Sequence, residues 1–202
     1  METISGAPSA LHERIAARVR ELRAARGYSL DELATRSGVS RSMISLIERG
    51  ESSPTAVVLD RLASGLGVML LSFFDASTAV QPPSTGPLAR REDQPEWEDP
   101  GSGYCRRIVS PTGMPQPVQI IEVEFPPGQR VAFENGARGI HVYQQIWVLE
   151  GSMEVTFGDE RHRLRTGDCL ATQLDRPIVF HNSTRRRARY AVVIASETSA
   201  TR

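Results

Sequence analysis

The stretch from Gly27 to Pro54, GYSLDELATRSGVSRSMISLIERGESSP, decides how the first half of this chain folds. Ser29 is placed to cap a helix, and Glu32 three positions later reaches back to close a capping box. A helix therefore begins near Leu30, with Leu33 and Ala34 on its buried side. Ser37-Gly38-Val39-Ser40 interrupts it, because Gly38 is free to take the positive φ that a tight helix-helix turn requires. Ser40 offers the next N-cap. After it, Ile44 and Ile47 face a core, while Arg41, Ser42, Ser45 and Arg49 fall on the outer side. Gly50 stands where a left-handed C-cap is usual.

Two short helices at an angle, the second lined with small hydroxyls and guanidinium groups, suit insertion into a DNA groove. Arginine grips guanine O6 and N7 bidentately or clamps phosphate, and serines let a helix sit deep. The flanks extend the pattern. Leu11, Ile15, Val19 and Leu22 mark a preceding amphipathic helix, and Leu59, Leu62, Ala63 and Leu66 a following one, so that five helices are expected within residues 8 to 75.

Arg20, Arg23, Leu30, Leu33, Ala34, Gly38, Val39, Ser40, Ser45, Ile47, Glu48, Arg49, Gly50, Pro54, Leu59, Leu62, Ala63, Leu66, Gly67 and Val68 together match the pattern of the Xre-type, lambda-repressor-like DNA-binding domain. The resemblance implies a double-stranded operator DNA partner. Ser29, Arg36, Ser40, Arg41, Ser42, Ser45 and Arg49 are the candidate DNA-binding residues.

Composition sets bounds on this reading. The 202 residues carry 24 basic and 24 acidic side chains, and residues 1 to 75 hold nine Arg against nine acids. Affinity for DNA must then come from placed side chains such as Arg36, Arg41 and Arg49 and from helix N-termini, not from a basic domain. The two cysteines, Cys105 and Cys169, have no CxxC partner; they suggest reduced core thiols and neither a zinc site nor a disulfide. No apolar run approaches the roughly 20 residues of a membrane span. The N-terminus lacks the apolar centre of a signal peptide, so a cytoplasmic protein is expected.

Residues 76 to 103 change character, with proline, serine, glycine and a net charge of minus three, and read as a linker whose second half packs through Leu88 and Trp97. Its acids Glu92, Asp93, Glu96, Glu98 and Asp99 read as solvated. Beyond Gly103 the period switches to that of strands. Val118 to Phe125, Ile146 to Leu149, Met153 to Phe157, Cys169 to Leu174, Ile178 to Phe180 and Tyr190 to Ile194 alternate with turns, which indicates a small β-barrel or jelly roll able to hold a ligand.

WVLEG from Trp147 to Gly151, LRTGD from Leu164 to Asp168 and PIVFHN from Pro177 to Asn182 resemble the signature turns of the cupin family, over residues 104 to 196. The two resemblances together imply a bacterial regulator with an N-terminal helical head and a C-terminal barrel that senses a metabolite and forms a homodimer. A cupin metal is held by three histidines and a glutamate, and the corresponding places here fall on Arg138, Ile140, Gln144 and Ile178. Isoleucine has no lone pair to donate and Arg repels a cation, so no metal and no other cofactor is expected. A strand bulge could restore a site from His141, Gln144 and His181, but a metal-free pocket bordered by Arg138, His141, Tyr143, Gln144, Ile178 and His181 fits better. Equally, these are ordinary rim and surface residues. The Arg185, Arg186, Arg187 and Arg189 cluster reads as a solvated hairpin tip.

The sequence thus points to a non-enzymatic, sequence-specific transcriptional regulator controlled by a small-molecule effector. A metal-dependent cupin enzyme with a DNA-binding tether, and a regulator whose barrel only dimerises, are the alternatives.

Overall fold

The computed structural model describes residues 10–74, 86–111, 117–135 and 141–197. Its helical part runs α1 (Ala10–Ala25), α2 (Leu30–Ser37), α3 (Arg41–Glu48) and α4 (Ala56–Leu66), followed by a 3-10 turn at Leu70–Phe73. Four α-helices among the described residues replace the five expected. The segment expected to make the fifth is only four residues of 3-10 geometry, too short to close an α-helical turn ladder. The apolar periodicity otherwise reports the core: Ile15, Val19, Leu33, Ile44, Ile47, Leu59, Leu62, Ala63 and Leu66 are all buried.

The β half comprises β1 (Glu96–Glu98), β2 (Cys105–Ile108), β3 (Val118–Phe125), β4 (Arg130–Phe133), β5 (His141–Glu150), β6 (Ser152–Phe157), β7 (Glu160–Arg165), β8 (Cys169–Gln173), β9 (Ile178–His181) and β10 (Ala188–Glu197). They form two sheets, ordered β1-β2-β3-β10-β5-β8 and β4-β9-β6-β7, with every paired neighbour antiparallel. The closed barrel expected from the sequence is therefore corrected to a pair of facing sheets. The physical reason is that their edge strands, β1 and β8 in one sheet and β4 and β7 in the other, make no ladder with each other. Alternation along β5 and β10 places Gln144, Ile146 and Val148 with Tyr190, Val192 and Ile194 inside.

The second half of the linker segment is not a solvated spacer. Trp97 is buried in β1 and Asp99 is buried beyond it, whereas Leu88 is exposed. Trp97 packs edge-on against Phe74 from the helical half at 5.7 Å, and against Tyr104 from the β half at 5.8 Å. The edge contacts continue to Phe125 and Tyr190, and Tyr190 stacks on Phe180. One contiguous apolar cluster consequently runs from Leu11 in α1 to Ile194 in β10.

Polar contacts fix the same junction. Asp99 Oδ1 accepts from the Ala56 backbone N–H at 2.7 Å, at the first turn of α4. Asp60 Oδ2 on α4 accepts from the Glu134 N–H at 3.1 Å, and Arg61 pairs with the Glu134 carboxylate at 3.1 Å.

Candidate nucleic-acid interface and interior cavity

The α2-turn-α3 unit is assembled by the devices its sequence announces. Ser29 and Glu32 exchange both bonds of the capping box, at 2.7 and 3.1 Å. Gly38 takes φ +67° and donates its N–H to the Ala34 carbonyl at 2.9 Å. Ser40 caps α3 by accepting from the Met43 N–H at 3.3 Å. Beneath this surface, Arg23 forms a fork with Glu48, at 2.6 Å from Nε and 2.8 Å from Nη2, and donates from Nη1 to the Tyr28 carbonyl at 2.8 Å. That pairing holds the Arg23 guanidinium above its ordinary pKa. Two residues of the sequence motif are thus structural: they tie α1 to the end of α3.

On the outer side, Arg41 and Ser42 are exposed at the start of α3, Ser45 is half-buried one turn on, and Arg49 is exposed at its end. Their tethering differs. Arg49 grips both Glu51 oxygens at 2.7 Å and also donates to Ser45 Oγ, while Arg41 is 3.3 Å from Asp31 with both partners largely in water. An exposed pair of that kind contributes little and opens easily. Arg36 lies over the Tyr28 ring at 4.4 Å, a cation-π contact that aligns its stem. Ser29 and Ser40 spend their hydroxyls on caps. Met43 on α3 is exposed as well and is not among the candidates read from the sequence.

Between the two sheets lies a cavity of about 60 Å³. Gln144 and Ile178 are in its lining. The other predicted pocket residues do not gather there. Tyr143 is on the outer face of β5 and exposed, because inward positions on that strand are the even ones. His181 follows inward-facing Phe180 on β9 and so turns outward, where its Nδ1 is 3.5 Å from Glu154. Arg138 lies outside the described residues, and of His141 only the backbone, in β5, is described. Gln144 and Ile178 hold two of the four metal-ligand places of the cupin pattern; both point inward and neither is a ligand histidine or glutamate. Among the described residues, no group of three or more His, Cys, Asp or Glu side chains is arranged to hold a metal ion.

Sequence reasoning missed the polar lining that is present: Tyr104 and Arg106 from the start of the sandwich, Asn135 after β4, and Asp60 from α4. Tyr104 and Arg106 are two apart, which on a strand means one face, and that spacing was the available signal. Burial raises the Tyr104 hydroxyl pKa. Asn135 donates to the Arg176 carbonyl at 3.2 Å and Gln144 to Thr172 Oγ1 at 3.4 Å. The cysteines depart from expectation, Cys169 being exposed and Cys105 half-buried, with burial pushing the Cys105 thiol up to about 11. The arginine tip is tethered by Arg187 to Glu124 and by Arg189 to Glu122.

The comparisons with known proteins accord with this geometry. Residues 19–71 match the helix-turn-helix family HTH_3. The HTH-type transcriptional regulator SutR of Escherichia coli (strain K12) is 42% identical over 64 residues, covering 32% of this chain and 36% of that protein. PuuR, an HTH-type transcriptional regulator of the same organism, is 27% identical over 167 residues, covering 82% of this chain and 86% of its own length. Among solved structures, an HTH_3 family transcriptional regulator from Vibrio cholerae superposes with a TM-score of 0.72 at 28% identity, over 93% of this chain and 98% of that one. No described helix is long and apolar enough to cross a membrane. Residues 19–71 therefore form a helix-turn-helix domain of the HTH_3 family, on a chain that is similar over most of its length to HTH-type transcriptional regulators.

Proposed function

We propose that this protein is a cytoplasmic, sequence-specific regulator of transcription whose α3 enters the major groove of operator DNA. The observation that carries the reading is the face of α3: Arg41 and Ser42 exposed at its N-terminal end, where a recognition helix meets base edges. Arg41 leaves Asp31 to contact a base. Arg36 and Arg49, aligned by Tyr28 and Glu51, serve the phosphates, with Ser29, Ser40 and Ser45 close to the backbone.

A homodimer completes the reader. The outer face of the larger sheet exposes Val118, Ile120, Tyr143 and Trp147, the last 50% accessible. Through β10, where Val193 pairs with Ile120 and Ala191 with Trp147, they form one apolar surface. A second copy seated there would present two α3 helices to half-sites about 34 Å apart on a palindrome. The residue ranges 8–75, 76–103 and 104–196 then serve as DNA-binding head, connector and cupin-like half with an effector in its cavity, without a metal and without catalysis.

Selection of bound duplexes from a random pool tests the first claim. A single palindromic sequence is expected, and Arg41→Ala should weaken it more than random duplex of equal length. Recovery of no preferred sequence would refute the reading. Trp147→Glu should convert the dimer to monomer in light scattering, and a dimer that persists would place the interface elsewhere. Stoichiometric iron, manganese or zinc in the purified protein would favour the enzymatic alternative instead.

A further inference from the structure

The cavity between the sheets is roofed by the DNA-binding half. Asp60 on α4 and Met69 and Leu70 just beyond it complete the lining that the two sheets begin. Inside, one atom of each of two neighbouring polar side chains is buried without a hydrogen-bond partner. Tyr104 is 4% and Arg106 8% accessible, and neither Tyr104 Oη nor Arg106 Nε has a hydrogen-bond partner. A buried polar atom left in that state carries a desolvation cost, larger when the group is charged, and an occupant that accepts its hydrogen bond removes that cost. Of the other polar lining residues, Asn135 bonds the Arg176 carbonyl, Gln144 bonds Thr172 and Asp60 accepts from the Glu134 backbone N–H, while Tyr190 lines the wall beside them.

Arg106 Nε donates and is part of a cation, the Tyr104 hydroxyl donates or accepts, and most of the remaining wall is hydrocarbon and aromatic ring, with Asp60, Asn135, Gln144 and Tyr190 as its other polar residues. A carboxylate on a short apolar body is the complement: its oxygens accept from guanidinium and phenol together, and its chain lies against side chains such as Val131, Ile178, Phe180 and Val192. A volume of about 60 Å³ corresponds to about four to six water-sized groups at 10–15 Å³ each, the size of a three- or four-carbon acid. We infer that this cavity binds a short-chain monocarboxylate, held by Arg106 and Tyr104 beneath the helical domain. The inference rests on the reading of the β half as an effector-binding unit and supplies its ligand class and its route to the DNA.

That route is short. Asp60, Met69 and Leu70 line the cavity; Asp60 lies on α4, and α4 packs so closely on α2 that a Cβ at Gly65 would come within 2.9 Å of Ser37 Cβ. An occupant that fits one seating of the helical roof better than another shifts the population of head positions by that difference in affinity. The relay needs no rearrangement within the sheets.

The test is calorimetric titration of the full chain with sodium butyrate, butyramide and 2-aminobutyrate. Butyrate should bind saturably, and butyramide, of the same shape but uncharged, should bind at least tenfold more weakly. Arg106→Gln should lose at least tenfold in butyrate affinity. Tyr104→Phe, which keeps the packing and removes only the hydroxyl, should lose several-fold with an unchanged circular dichroism spectrum. Equal binding of butyramide, tighter binding of 2-aminobutyrate, or wild-type affinity in Tyr104→Phe would overturn the assignment. Operator affinity measured by fluorescence anisotropy in the same samples separates the two levels. Should another metabolite move operator affinity while butyrate fails to bind, the monocarboxylate falls and the effector reading stands. Should butyrate bind and leave operator affinity unchanged, the coupling through the roof falls.

Discussion

Removing the Asp99 carboxylate probes the joint on which the two halves depend. The side chain is 3% exposed; Oδ1 accepts from the Ala56 N–H at 2.7 Å, and Oδ2 from the Ser102 N–H at 2.8 Å and Ser102 Oγ–H at 2.6 Å. In Asp99→Ala, the first turn of α4 loses an acceptor, worth about 1 kcal/mol by the usual cost of an absent cap. The two Ser102 bonds add about 1 kcal/mol each, for a total near about 3 kcal/mol. For a chain of about 200 residues each kcal/mol lowers Tm by about 2–4 °C, so a fall of about 6–12 °C is expected in a calorimetric scan. Asp99→Asn retains one carbonyl acceptor and should recover roughly a third of the loss, because an amide oxygen serves Ala56 while its NH2 cannot accept from Ser102. A loss below about 1 kcal/mol in Asp99→Ala, or an Asn variant as unstable as the Ala variant, would refute the idea that this carboxylate pins α4 to the segment before β2.

Other consequences follow from single contacts. Glu48→Ala strands the Arg23 guanidinium, whose side chain is 19% exposed; the cost should be about 2–3 kcal/mol, toward the low end for a broken buried pair, measured by urea titration, and Arg23→Leu with Glu48→Leu should regain part of it. Gly65→Ala would normally strengthen a helix, but its Cβ would sit 2.9 Å from Ser37 Cβ and 3.0 Å from the Ser37 backbone, so thermal melting should show a net loss of about 1–3 kcal/mol; a stabilised variant would disprove that close approach. Glu154 has its pKa lowered, chiefly by the Arg161 hydrogen bond with help from Arg163. A depressed folded-state pKa means that its stabilisation is present at neutral pH and lost as pH falls through the carboxylate range near about 4. Urea midpoints compared at pH 7 and about pH 4 should therefore differ less in Glu154→Gln than in the wild type.

The helix-turn-helix was legible residue by residue because its determinants are local. The Ser29–Glu32 box, the left-handed Gly38 and the Ser40 cap each act within four residues of themselves, and the apolar period of α1 to α4 names the buried face without reference to anything distant. Counting from the cupin-like turns led to Gln144 and Ile178, which line the cavity. It misplaced Tyr143 and His181 because a one-position difference in register exchanges inside for outside, and register is settled by the partner strands β8, β10, β4 and β6.

What the sequence determined by itself, then, is the class of the head, its caps and the side chains on the outer face of α3, since all of these are written in local spacing and side-chain chemistry. The cavity beneath the head was assembled only by tertiary structure. Asp60, Met69 and Leu70 lie far along the chain from Tyr104, Arg106 and Ile178, and they meet because Phe74 and Trp97 bury their rings against each other and Asp99 reaches the N-terminus of α4. Burial of aromatic surface is non-directional and indifferent to sequence separation, so no periodicity in the chain records which distant residues it will bring together.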